Sequence, residues 1–411
     1  MAESHLVVRD IPANTKGNIM KKQLIQAAIL AAAALAVFSH QAIAQKAAPT
    51  TALKGPVKVF ILAGQSNMEG HGGIRTIDAL GNDPVHGQRL KKLKNADGSW
   101  AVRDDVFVYY KRSGDLVKAP LTVGQGCSSG EIGPELMFGV IMGEFYKEPV
   151  LLIKTAWGGK DLYCDFRPPS AGQPAYAIQQ RDGKPREMGV NYHQMVAEVK
   201  ECLANMESNF PQFKGMKPQI AGFVWFQGFN EMFSGAENQK QVYAEYASNY
   251  AHMIADLEKE LKLARLPSVV GEMGVDGDKP NPLRAAQAAV LNQPSLKGKV
   301  AFVKTAQFWD PALDQMESKL GGQEQRVRKQ VTAAVMEQLK GKPESADKKA
   351  VEQLVNRQMD NALSKDAEYQ KVRVEHDKVI SHWECHYWGS ARIYCLVGNG
   401  LAEAMKQLLK R

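Results

Sequence analysis

Fourteen residues near the start of the chain, Val57-Lys58-Val59-Phe60-Ile61-Leu62-Ala63-Gly64-Gln65-Ser66-Asn67-Met68-Glu69-Gly70, constrain the fold more than any other stretch. Residues 57–63 form a β-branched and apolar run with no turn residue inside it, the pattern of a buried strand. Gly64 ends the run, and a helix can start at the serine that follows between two amides. A serine at the tip of the first strand of an α/β sheet lies in the crevice where such sheets bind ligands. It also lies at a helix N-terminus, whose free N–H groups can stabilise a developing oxyanion. Ser66 is therefore the candidate nucleophile; as plain structure it would be the N-cap of a strand-to-helix turn.

The rest of the chain alternates in the way that strand requires. Apolar runs at residues 57–63, 150–156, 220–227, 268–273 and 300–306 read as parallel strands. Helical patterns at 134–146, 192–206, 239–263 and 282–292 lie between them. Alternating strands and helices predict a three-layer α/β/α sandwich on a mostly parallel five-stranded sheet. The 87 or so residues between the first two strands are long for a connection; residues 101–110 are a candidate small strand within them. Residues 313–372 are rich in Gln, Glu, Lys and Ala and read as an inserted set of amphipathic helices, broken near Gly341-Lys342-Pro343. Residues 387–410 return to domain-like text and predict a closing helix with an apolar stripe.

Composition bounds the class. The 411 residues are 44% hydrophobic and 23% charged, which excludes a disordered chain and a polytopic membrane protein. A net charge of +8 without basic blocks interleaved with aromatics gives no nucleic-acid footprint. At the N-terminus, Met20-Lys21-Lys22, an apolar segment at 27–38 and Ala42-Ile43-Ala44 predict a secretory signal peptide starting at Met20 and cut after Ala44. It is too short for a membrane span. The expected organisation is therefore residues 1–44 as extension and signal, 45–55 as linker and 56–411 as the domain, exported to the periplasm or beyond. Of the five cysteines, at least one must be free, and Cys385 and Cys395 are candidates to pair with each other or elsewhere. No C-x-x-C or H-E-x-x-H occurs, so a structural or catalytic zinc site is not expected.

Three further segments can supply chemistry. Gly130-Glu131-Ile132-Gly133-Pro134-Glu135 runs a glycine pair into a helix, where an N–H of Gly133 or Gly130 could meet an oxyanion. Trp225-Phe226-Gln227-Gly228-Phe229-Asn230-Glu231 ends a strand, so the amides of Gln227 or Asn230 reach the crevice. Ser381-His382-Trp383-Glu384-Cys385-His386-Tyr387-Trp388-Gly389-Ser390 offers a base for the serine: His386 first, His382 second. The G-x-S-x-G elbow of the α/β-hydrolases is absent, since Met68 stands at the second glycine.

Gly-Gln-Ser-Asn-Met, Trp-Phe-Gln-Gly-x-Asn-Glu and His-Tyr-Trp-Gly-Ser-Ala, in that order, resemble the sialate O-acetylesterase-like branch of the SGNH hydrolases, which includes the acetylxylan esterases of carbohydrate esterase family six. The resemblance runs from about residue 57 to 405 and is thinnest over 313–372. It implies hydrolysis of acetyl esters on sugars without metal or cofactor, by Ser66 as nucleophile and His386 as base. The oxyanion would rest on the Ser66 N–H, on Gly133 or Gly130, and on Gln227 or Asn230. The chain departs from the superfamily at one point: the acid usually found three residues before the histidine is here Trp383. Glu384, two residues before His386, is the first substitute, because an extended backbone would turn it to the same face; Glu231 and Asp377 are the others. Trp157, Phe229, Tyr387 and Trp388 are candidates to stack on sugar rings. The competing readings are a non-catalytic carbohydrate-binding protein on the same fold and a general short-chain carboxylesterase.

Overall fold

The computed structural model describes residues 53–174 and 186–410. The expected signal peptide and its cleavage point lie outside the described residues. Strand β1 (Val57–Gly64) forms where the sequence predicts it, and nearly every residue of it is buried. Burial on both faces requires neighbours on both edges and helices above and below. The neighbours are β4 (Val150–Ala156) and β5 (Pro218–Phe226), both parallel to β1, with Ile61 opposite Ile153 on one side and Phe223 on the other.

β2 (Val106–Arg112), β3 (Asp115–Pro120), β6 (Ser268–Gly271) and β7 (Val300–Val303) complete a sheet in the order β3-β2-β4-β1-β5-β6-β7. Every pairing is parallel except the β2–β3 hairpin. The sheet thus has seven strands rather than the five expected. The additional pair comes from the long segment after β1, and β3 is a partly exposed edge whose sequence carries no apolar run. Because the chain leaves β1 first toward β4 and later toward β5, the C-terminal tip of β1 is the switch point of the sheet, where a crevice opens.

The helices that cover the sheet fall close to the predicted segments: α1 (Ser66–Glu69), α2 (Glu135–Phe145), α3 (Val190–Ala204), α4 (Ala236–Glu260) and α5 (Pro282–Ala288). Phe138 of α2 meets Phe60 of β1 edge to face at 5.4 Å. The charged region forms three helices, α6 (Pro311–Gln338), α7 (Lys348–Lys365) and α8 (Ala367–Asp377), each started by an aspartate that accepts from the first turn: Asp310, Asp347 and Asp366. Val327, Val331, Val335 and Leu339 recur every four residues and close a small core with Val355. The last helix, α9 (Ala391–Leu409), buries its apolar stripe in the main core. All five cysteines are free thiols, so Cys385 and Cys395 do not pair; α9 holds Cys395 in the core. Among the described residues no helix is long and apolar enough to cross a membrane.

Candidate active site

The turn after β1 is held tightly. A Cβ on Gly64 would stand 2.2 Å from the Phe226 carbonyl oxygen, so only glycine lets β1 end this close to β5. Ser66 opens α1 and is 8% exposed. Its own N–H, like that of Asn67, falls in the first turn, where no intrahelical acceptor exists. Gln65 fixes the neighbouring loop: its Oε1 accepts from the N–H of Gly228 at 3.0 Å and of Asn230 at 3.4 Å, and its Nε2 donates to Asn230 Oδ1 at 3.1 Å. That bond determines which end of the Asn230 amide is free. Nδ2 has no acceptor among the described residues and lies 3.8 Å from where a Cβ of Gly159 would be. Gly158 borders Ser66, since its Cβ would come within 3.8 Å of Ser66 Cβ and 3.0 Å of Glu69 Oε2.

Asn67 joins this turn to the histidine loop. Its Nδ2 donates to the carbonyl oxygen of Cys385 at 3.1 Å, and its Oδ1 accepts from the Tyr394 hydroxyl at 2.8 Å. The loop itself is strained: Tyr387 and Trp388 are consecutive non-glycine residues at φ 52° and 56°. Several contacts impose this shape. The Tyr387 hydroxyl accepts from Gly274 N–H at 2.8 Å, the Trp388 carbonyl accepts from Ser381 N–H at 2.8 Å, and the Trp388 indole donates to Asp314 at 2.8 Å.

His386 sits in a cluster of imidazoles. Its ring stacks on that of His71 at 4.1 Å and 21°, and His382 lies against both, at 4.6 Å from His71 and 4.5 Å from His386. His386 Nδ1 is 3.0 Å from His382 Nδ1, which also accepts the Trp383 N–H at 2.8 Å. An atom that accepts a backbone N–H carries no proton, so the proton between the two rings belongs to His386 Nδ1. His386 Nε2 is then left with its lone pair, the tautomer that a base for serine needs. Burial, then the His71 cation, then His382 push the His386 pKa down to about 3. Burial alone would lower His71, but hydrogen bonds to Cys127 and Glu131 outweigh it and hold its pKa at about 9.

The floor beneath the serine turn is a buried ion pair. Lys154 Nζ donates to Glu135 Oε2 at 2.9 Å, to the Gln125 carbonyl at 2.9 Å and to the Glu69 carbonyl, the last residue of α1, at 2.6 Å. Glu135 Oε1 takes the Gly133 N–H at 2.8 Å.

The structure therefore brings Ser66, Asn67, Asn230 and the His386 loop together at the tip of β1. It engages the other expected groups elsewhere. The Gly133 N–H is given to Glu135, and the Gln227 amide donates to Lys160 O at 3.1 Å and Glu231 Oε2 at 2.6 Å. Glu231 is buried and takes the Leu162 N–H at 2.5 Å, so it braces the 158–165 loop. Glu384 is hydrogen-bonded with Asp276, not with His386. The segment Glu384–Gly389 is a 3₁₀-type turn rather than extended backbone, so residues two apart do not share a face. Asp377 pairs with Arg373 and His376. Tyr387 is fully buried and is core, not a sugar platform. His71, five residues after Ser66, and Asp314, far along the chain, were not singled out by the sequence reading; a histidine one turn beyond a candidate nucleophile was the available signal.

The family model for carbohydrate esterases described as sialic acid-specific acetylesterases matches residues 56–315. No curated protein matches the chain. Among solved structures, a protein from Arabidopsis thaliana aligns at 18% identity and TM-score 0.38, over 61% of this chain and 86% of that one. A carbohydrate acetylesterase from Xanthomonas citri aligns at 17% identity and TM-score 0.38, over 60% of this chain and 49% of that one.

Proposed function

The chain belongs to the sialic acid-specific acetylesterase family of carbohydrate esterases, and from that premise we propose that it hydrolyses O-acetyl esters on carbohydrates by a Ser66–His386 mechanism. The observation that carries the reading is Asn67: one side chain, next to the serine, holds the carbonyl of the residue next to the histidine. Nucleophile and base thereby share a rigid frame, as nucleophilic catalysis requires.

In the first half-reaction Ser66 Oγ attacks the acetyl carbonyl while His386 Nε2 takes its proton. The oxyanion is met by the Ser66 N–H and by Asn230 Nδ2, which Gln65 aims by occupying Oδ1. The bond between the acetyl carbon and the sugar oxygen breaks, and His386 returns its proton to that oxygen. In the second half-reaction water attacks the acetyl-serine, His386 takes a proton from it, and acetate leaves as Ser66 is re-protonated. His382 fills the place of the usual acid: it accepts the Nδ1–H of His386 and fixes the tautomer. A neutral imidazole offers the resulting imidazolium less stabilisation than a carboxylate would.

The chain is read as exported, supported by the basic start at Met20, the apolar segment at 27–38 and the small residues before Gln45. The substrate is then an extracellular or periplasmic acetylated glycan. The test compares acetyl with longer acyl esters, using the protein without residues 1–44 and its Ser66→Ala and His386→Ala variants. Turnover of acetyl esters that both variants lose while staying folded supports the reading; undiminished turnover in Ser66→Ala refutes it.

A further inference from the structure

Three imidazoles converging from two distant segments are more than one base requires. His71, His382 and His386 each present a ligand atom, and these atoms lie within 4.8 Å of one another. His71 has the orientation typical of a metal ligand: its Nδ1 is 3.2 Å from Glu131 Oε1, and Glu131 is in turn held by the Ser128 hydroxyl at 2.8 Å. A histidine that gives one ring N–H to a carboxylate presents the other nitrogen as a stronger, fixed donor; His71, a cation bonded also to Cys127, releases its second proton when the ion binds. His382 and His386 bring their Nδ1 atoms to 3.0 Å, sharing a proton. Two nitrogens at about 2.0–2.1 Å on a tetrahedral zinc ion stand roughly 3.3 Å apart, so a cation can take that proton's place with a shift of a few tenths of an ångström. The Trp383 N–H at His382 Nδ1 would have to yield in that shift. All three rings are only partly buried, which leaves a path for the ion.

We propose that His71, His382 and His386 form a site for one borderline divalent cation of the zinc type, and that the ion switches the esterase off: bound at His386 Nδ1, it moves that ring's one proton to Nε2, where the base needs its lone pair. Imidazole nitrogens suit zinc, copper and nickel and disfavour magnesium and calcium. Binding stands on the geometry of the cluster alone. The switching part rests on the reading of His386 as base.

The test uses the metal-free protein lacking residues 1–44 and titrates Zn²⁺ against a chromophoric chelator. One ion per chain is expected. Affinity should drop about 10–100-fold in Glu131→Gln, the range for outer-shell partners, and further in His71→Ala and His382→Ala. Co²⁺ should give a spectrum without thiolate-to-metal charge transfer, since Cys127, which lies near His71 and Glu69, is not a ligand here. Acetyl-ester hydrolysis should be lost with the same dissociation constant and return on chelation. No binding, binding unchanged in the histidine variants, or a cobalt–thiolate band overturns the site. Zinc bound at full activity overturns the switch and leaves the serine mechanism to be judged by the Ser66 variant.

Discussion

Asp314 Oδ1 accepts the indole N–H of Trp388 at 2.8 Å, and Trp388 stands two residues after His386. Its other oxygen accepts the indole N–H of Trp309 at 3.2 Å. The first turn of the charged helical region therefore helps hold the strained loop that carries His386, the proposed base. Two residues in the left-handed region cost on the order of 1–3 kcal/mol each and persist only when their surroundings impose them. Asp314→Ala should let the loop relax: kcat on an acetyl ester falls about tenfold, KM changes little, and the melting temperature drops. Asp314→Asn, which keeps one acceptor, should recover part of the rate.

Asn67 and Asn230 separate two roles. Asn230→Ala removes the proposed oxyanion donor and should lower kcat by about 10²–10³ with little change in KM, and with a smaller loss of stability than at Asn67, since one donor, Gln65 Nε2, loses its acceptor. Asn67→Ala removes the donor to the Cys385 carbonyl and the acceptor of the Tyr394 hydroxyl proton, so it should lower both kcat and the melting temperature. Steady-state kinetics beside thermal unfolding distinguish the two patterns.

Lys154 and Glu135 are both fully buried. Removing one partner leaves the other as an uncompensated charge, which costs about 3–5 kcal/mol. Lys154→Met should therefore lower the unfolding free energy by that order in denaturant titration. Burial already pushes the Lys154 pKa below its ordinary value.

The pH profile should carry His71. Its pKa is raised to about 9, so it is a cation over most of the working range and suppresses the basicity of the stacked His386. In buffer with EDTA, kcat/KM should rise as pH passes through about 9 and His71 loses its charge. In His71→Gln that limb should vanish. The stability linkages have opposite signs. His71, raised in the folded state, contributes stability that is complete below 6.5 and lost as pH rises through about 9. His386, lowered to about 3, favours folding above 6.5 and opposes it increasingly as pH falls toward 3.

How much of this was readable in the sequence depends on how local the information was. The three central strands β1, β4 and β5, with β6 beside them, announce themselves as mainly apolar runs, and so does β7 at the far edge. β3 does not, because Asp115–Pro120 is a partly exposed edge paired on one side only. The α6 valines at 327, 331 and 335 keep a four-residue spacing that a charged composition does not hide. Ser66 and the histidine segment stood out by residue type and place, but the identity of the group facing His386 did not. Glu384 was expected there on the assumption of an extended backbone, and the 3₁₀ turn sends it to Asp276. The free end of Asn230 depends on Gln65, 165 residues away, and the pairing of Asp314 with Trp388 spans 74 residues. No periodicity encodes such contacts.

The most direct test of the central claim is covalent trapping of the nucleophile. The protein lacking residues 1–44 would be treated with a fluorophosphonate, digested and mapped by tandem mass spectrometry. A single phosphonyl group on Ser66, absent from Ser66→Ala and slow to form in His386→Ala, is the predicted result. An enzyme that turns over acetyl esters yet carries the label on another residue, or carries none, would contradict it.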